Sequence, residues 1–115
     1  MIPNFVMKKL INNFLKFLFL SIIFLSYFNK VKSDEIYDKG KAIFLEQGNC
    51  AVCHTLSDSG SDSNIGPNLN EIRPDIMRVI VAVTNGIGVM PAYQGELSSK
   101  EIEAVAHYVS VSAEK

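Results

Sequence analysis

Cys50-Ala51-Val52-Cys53-His54 constrains this chain most, because five consecutive residues hold both of its cysteines and one of its two histidines. The C-x-x-C-H spacing is that of covalent haem attachment. Each sulfur adds across a haem vinyl group to form a thioether, the two intervening residues match the separation of the vinyls, and the adjacent histidine reaches the iron through a ring nitrogen. Cys50 and Cys53 are therefore expected as anchors and His54 as an axial ligand. Three other chemistries fit less well. Zinc needs four ligands, and the chain offers only Cys50, Cys53, His54 and His107, with neither a second C-x-x-C nor an H-x-x-x-H pair. A thioredoxin-like pair belongs beside a strand–helix–strand pattern, which is not found, and gives His54 no purpose. A disulfide between such close cysteines closes too small a loop to constrain much of the unfolded chain.

The first third of the chain lies outside the domain that this motif serves. Residues 1–16 carry Lys8, Lys9 and Lys16 with no acid, and the 12 residues Phe17 to Phe28 are apolar except for Ser21 and Ser26. That is the form of a secretory signal, and the run is short of the roughly 20 residues a spanning helix needs. Residues 1–33 are read as a signal peptide, cut after Ser33 with Val31 and Ser33 preceding the cut, and residues 34–115 as the domain. The alternative is an uncleaved anchor, whose apolar stretch would have to take in Asn12, Asn13 and Lys16.

Without its first 33 residues the chain keeps six basic and twelve acidic residues, 6 − 12 = −6. A domain of this sign is not held by nucleic acid or anionic lipid, and ionised haem propionates would make it more negative, so protein partners with basic docking surfaces are expected. Its only aromatics are Tyr37, Phe44, Tyr93 and Tyr108. That is little apolar material for an independent core, and a large buried cofactor would complete it.

Helical spacing is read over Asp34 to Gln47, where Tyr37, Gly40 and Phe44 share a face, acids lead and Gly48 terminates. Gly40 costs such a helix roughly 1 kcal/mol against alanine, which fits either a second backbone crossing closely there or a mere weak spot in the helix. Thr55 to Asn64, rich in Ser, Asp and Gly, reads as a solvated loop, and the EF-hand order that calcium would need is missing. In Ile65-Gly66-Pro67-Asn68-Leu69 the tight turn frees the Pro67 carbonyl, which can orient His54. Residues 75–84 are β-branched enough for a strand, but Arg73-Pro74 before them and Gly86 after them favour a helix. Met77 within it is expected as a core filler. Met90 sits in a glycine-rich loop with Pro91 holding it extended, where a thioether can face an iron. A last helix is read over Ser99 to Val109, with a Ser98/Glu101 capping box and an apolar face of Ile102, Val105, Ala106 and Val109. His107 receives no role.

Residues 36–110 resemble a class I monohaem cytochrome c of the small bacterial kind. The resemblance rests, in order, on Gly40 with Phe44, on Cys50-x-x-Cys53-His54, on Gly66-Pro67-Asn68-Leu69, and on Gly88-Val89-Met90-Pro91-Ala92 before a final helix carrying Tyr108. It implies an all-α cytochrome c fold, three to four short helices wrapped around a covalently bound haem, with the first and last helices crossing at Gly40 and Phe44 facing Tyr108. It also implies haem c on Cys50 and Cys53, iron between His54 and Met90, and Pro67 accepting from His54. Tyr93, Asn85 and Arg73 are candidates for holding the propionates or the Met90 sulfur. A His/Met pair raises the reduction potential and fills both axial positions, which suits a one-electron carrier cycling Fe(III) and Fe(II) rather than an enzyme. In this family thioethers form outside the cytoplasm, so the signal and the motif agree on a periplasmic location, with membrane association only if the N-terminal segment is retained. Two other functions stay open: an electron-accepting subunit of a periplasmic dehydrogenase, or a ligand-sensing or peroxide-reducing haem if Met90 is not bound.

Overall fold

The computed structural model describes residues 1–115 and divides into two compact units, residues 1–33 and 34–115. Every residue of the first unit is exposed, and all but its first three residues are helical. They open α1, Asn4–Ala42, which is long and apolar enough to cross a membrane. The helix read over Asp34 to Gln47 is observed, as α1 to Ala42 and a π-helical turn beyond it, and in the uncut chain it begins upstream, at Asn4. No Gly or Pro lies between Phe28 and Asp34, so helical geometry continues through Ser33 and the acids Asp34, Glu35 and Asp38 lie inside α1 rather than at a helix N-terminus.

In the second unit α1 runs into one π-helical turn, Ile43–Gln47, closed by the Gly48 N–H donating to the Ile43 carbonyl at 2.7 Å. There follow α2, Leu69–Ile72, α3, Ile76–Asn85, and α4, Ser99–Ser112. The fold is the all-α arrangement expected, with one addition: β1, Thr55–Leu56, pairs antiparallel with β2, Ser61–Asp62.

The core forms where the end of α1 meets α4. A Cβ on Gly40 would strike the Ala104 carbonyl and lie 2.6 Å from the Tyr108 Cβ, so only glycine permits this approach. Tyr108 is fully buried and meets Phe44 and Tyr37 edge-on, with ring centroids 5.7 Å and 5.0 Å away. The Ser98/Glu101 capping box starts α4, whose Ile102, Val105 and Val109 are buried. The ambiguous stretch 75–84 is helical: Asp75 caps it by accepting from the Arg78 N–H at 2.9 Å, and Gly86 ends it with φ +72°. Met77 corrects an expectation. Val79 and Val83, one turn apart, are the buried positions of α3, and Met77 is 62% exposed.

The loop read as solvated is folded instead. Leu56 is fully buried, its carbonyl accepts from the Ser59 hydroxyl at 2.8 Å, and Gly60 turns the chain with φ +74°. Asp58 faces inward and accepts from the Lys41 ammonium at 3.1 Å, the Tyr108 hydroxyl at 3.1 Å and the Lys115 ammonium at 3.3 Å. Burial alone would raise its pKa, but the surrounding donors of Tyr37, Lys41, Tyr108 and Lys115 prevail and lower it to about 2.

Candidate haem site

The attachment segment is a single helical turn. Asn49, in the left-handed region at φ 49°, turns the chain into it, and the Cys50 carbonyl then accepts from the N–H groups of Cys53 and His54 at 3.1 Å and 3.0 Å. Residues three and four apart on a helical turn share a face, so Cys50, Cys53 and His54 project together. Both cysteines are free and half-buried. Burial pushes the Cys50 thiol up to about 11, the nearby Cys53 adding to the rise against a backbone hydrogen bond that lowers it. A thiol-disulfide enzyme works through a thiolate of lowered pKa, so this environment opposes that chemistry. No group of three His, Cys, Asp or Glu side chains converges to hold a metal ion.

His54 Nδ1 lies 2.8 Å from the Pro67 carbonyl oxygen. A carbonyl only accepts, so Nδ1 carries a proton, and in the neutral imidazole the Nε2 lone pair is then the one that can bind a metal. Gly66 makes room for this. A Cβ there would come within 2.7 Å of the ring Cε1 and 2.9 Å of Nδ1, and the Gly66 N–H donates to the Cys53 carbonyl at 2.6 Å. The turn containing Pro67 is thereby stitched directly to the cysteine segment.

Met90 is half-buried and packs, with Cys50, Ala51 and Tyr93, against the same core cluster. Its loop closes on itself: the Met90 N–H donates to the Ile87 carbonyl at 2.9 Å and the Ile87 N–H to the Met90 carbonyl at 3.2 Å. Gly86 fits beneath, where a Cβ would meet the Met90 carbonyl oxygen at 2.6 Å. Tyr93 is not free to serve the Met90 sulfur or a propionate through its hydroxyl proton, which it donates to the Gly48 carbonyl at 2.6 Å. Arg73 sits at φ 42° after α2 and donates from Nε to the Asn70 carbonyl at 3.3 Å. Asn85 is the last residue of α3.

These residues fit a covalently held haem. Two thiols stand on one turn beside an imidazole whose Nδ1 is held by the Pro67 carbonyl, which leaves Nε2 for a metal.

A helical domain with this turn has the fold of the c-type cytochromes. Residues 35–109 match the family described as "Cytochrome C oxidase, cbb3-type, subunit III", and the chain belongs to that family. It is similar to the cytochrome c6 of Synechocystis, 37% identical over 84 residues that cover 66% of this chain and 65% of that protein. It is also similar to the cytochrome c6 of Microcystis aeruginosa, 36% identical over 66% of this chain and 96% of that protein. The crystal structure of the c-type cytochrome SorU from Sinorhizobium meliloti superposes with a TM-score of 0.68 at 51% identity, covering 71% of this chain and 95% of that one. The protein is a small monohaem c-type cytochrome, a haem-based electron carrier rather than an enzyme, and its cofactor is haem c with iron.

Sequence reasoning missed three parts of this region: the left-handed Asn49, the π-turn that precedes it and the Tyr93–Gly48 bond. An Asn after Gly48 was the one local sign, since asparagine tolerates the left-handed region better than most residues.

Proposed function

We propose that this chain is an exported, periplasmic one-electron carrier in which Cys50 and Cys53 hold the haem and His54 and Met90 ligate its iron. In this reading residues 1–33 are the signal and residues 34–115 the cytochrome domain. The observation that carries it is the 2.8 Å contact between His54 Nδ1 and the Pro67 carbonyl, which fixes the tautomer that presents Nε2. The bound haem supplies a one-electron couple between Fe(III) and Fe(II). The chain does the rest. Pro67 keeps the imidazole oriented and raises its basicity, Gly66 leaves space for the ring, and the closed Ile87–Met90 turn presents a neutral thioether, which favours a raised potential. A domain of charge −6 steers toward basic surfaces of redox partners, over a range limited to about 8 Å at physiological ionic strength.

The visible spectrum of the exported protein, oxidised and reduced, tests this. A c-type reduced spectrum with the weak red-end sulfur-to-Fe(III) band, abolished by Met90→Ala, is the expected result. Haem without that band in the native protein refutes Met90 ligation and favours an open iron site. A second reading of the N-terminus, a retained anchor, is favoured by a helix long and apolar enough to cross a membrane; the N-terminal residue of the exported protein, read by mass spectrometry, decides between the two.

A further inference from the structure

Two hydrogen bonds of Tyr93 fasten the Met90 loop. Its N–H donates to the Val83 carbonyl in the last turns of α3 at 2.9 Å, and its hydroxyl donates to the Gly48 carbonyl at 2.6 Å. Gly48 is two residues before Cys50, and its place is set by the π-turn, whose last bond joins the Gly48 N–H to Ile43. It is buried, and a Cβ there would lie 3.0 Å from the Cys50 sulfur. Of the hydrogen bonds made by residues 86–95, the one from the Tyr93 hydroxyl alone reaches the segment that bears the cysteines. The other bonds of this loop close it on itself, on α3, or on Glu96 and Leu97 just after it. At its tip Val89 is 97% exposed, and Gly88, at φ +57°, has nothing within 4 Å of where a Cβ would be. Within the polypeptide itself the tip therefore gains no restraint from packing.

We propose that Tyr93 is a positioning residue, whose hydroxyl ties the Met90 loop to the haem-attachment segment and so holds the thioether on iron. The proposal rests on the ligand assignment above. Where Met90 leaves iron by a swing of its loop that carries Tyr93 along, the Tyr93–Gly48 bond opens too and adds to the cost of displacement. A single hydrogen bond of ordinary strength shifts such an equilibrium about five-fold. A phenylalanine keeps the ring and its packing and removes only this bond.

Exogenous imidazole competes with a methionine ligand, and the loss of the red-end band reports its binding to the ferric holoprotein. In Tyr93→Phe the haem stays covalently attached, the band is present without imidazole, and imidazole binds about five-fold more tightly than to the native protein. Tyr37→Phe is the control for general loosening. It removes a hydroxyl that shares a hydrogen bond with Ser112 at 2.9 Å and accepts from Lys115 at 2.7 Å, and it leaves imidazole affinity unchanged. Equal affinities in native protein and Tyr93→Phe, or an equal gain in both variants, overturns the role of Tyr93. A native protein that lacks the band, with its haem attached, overturns the Met90 assignment first and this proposal with it.

Discussion

Replacing Gly40 with alanine adds one carbon at the point where the end of α1 crosses α4, and the sign of the result tests the packing. If Gly40 were only a weak point in a helix, alanine would stabilise the domain by about 1 kcal/mol. At the crossing, however, the new Cβ lies 2.6 Å from the Tyr108 Cβ and 2.8 Å from the Ala104 carbonyl carbon, against the roughly 3.5–4.0 Å that carbon atoms prefer. Two of the three nearest atoms are backbone, so no rotamer change relieves the contact and the helices must separate by about 1 Å. Overpacking of this kind costs about 1–3 kcal/mol or more. The separation also spoils the edge-on contacts of Tyr108 with Phe44 and Tyr37. After the helix-propensity gain is set against these losses, about 2 kcal/mol of net destabilisation is expected, or a fall in Tm of roughly 8–16 °C for a domain of this size. Thermal melts of the exported, haem-containing protein, followed by far-UV circular dichroism, measure it directly. A Tm equal to or above that of the native protein would falsify the crossing geometry.

Three further outcomes follow from the structure. Asp58→Asn weakens three charge-assisted contacts at a carboxylate 19% exposed, at a cost of about 1–2 kcal/mol near neutral pH. Because the folded pKa is depressed to about 2, this stability is complete above the unfolded value near 4 and is lost as pH falls through about 2. The gap between native and Asp58→Asn in denaturant titrations therefore narrows between pH 4 and 2, and a constant gap contradicts the cause given for the shift. The double variant Cys50→Ala, Cys53→Ala, exported without haem, is expected to be unfolded or to melt without cooperativity, since the polypeptide core is small; a sharp melt shows that the chain supplies its own core. Electron transfer to a basic redox partner should slow as ionic strength rises from about 10 to 200 mM, and a rate independent of salt refutes steering by the −6 domain.

What could be read from the sequence was mostly local or covalent. The cysteine turn spans five residues, and its chemistry depends on spacing alone. The Ser98/Glu101 capping box and the Gly66-Pro67 turn, only 13 residues from His54, are likewise built from near neighbours. Gly40 was legible for another reason: a glycine in a helix is costly, and that cost directed attention to the crossing. Asp58 shows where such reading ends. Its loop has the composition of a solvated segment, while its partners Lys41, Tyr108 and Lys115 stand 17, 50 and 57 residues away. Met77 failed for a related reason. Ile76 to Val83 is apolar on nearly every side apart from Arg78, so period alone cannot choose the buried stripe, and the inward face is that of Val79 and Val83.

The bonds that the sequence hides divide by what they hold. Asp58 gathers Lys41 near the end of α1, Tyr108 of α4 and Lys115 just beyond it, so it fastens the end of α1 to α4 and the residues that follow it. Tyr93 fastens the loop of one proposed ligand to the segment of the other, across 45 residues. The first arrangement bears on whether the domain stays folded, and the second, with Met90 as the proposed ligand, on how the iron would be held once it is folded. Neither depends on residues of the C-x-x-C-H motif itself. A chain can therefore keep the motif, and with it haem attachment, while Asp58 adds to the stability of the folded domain and, in the proposed reading, the hydroxyl of Tyr93 adds to its hold on Met90.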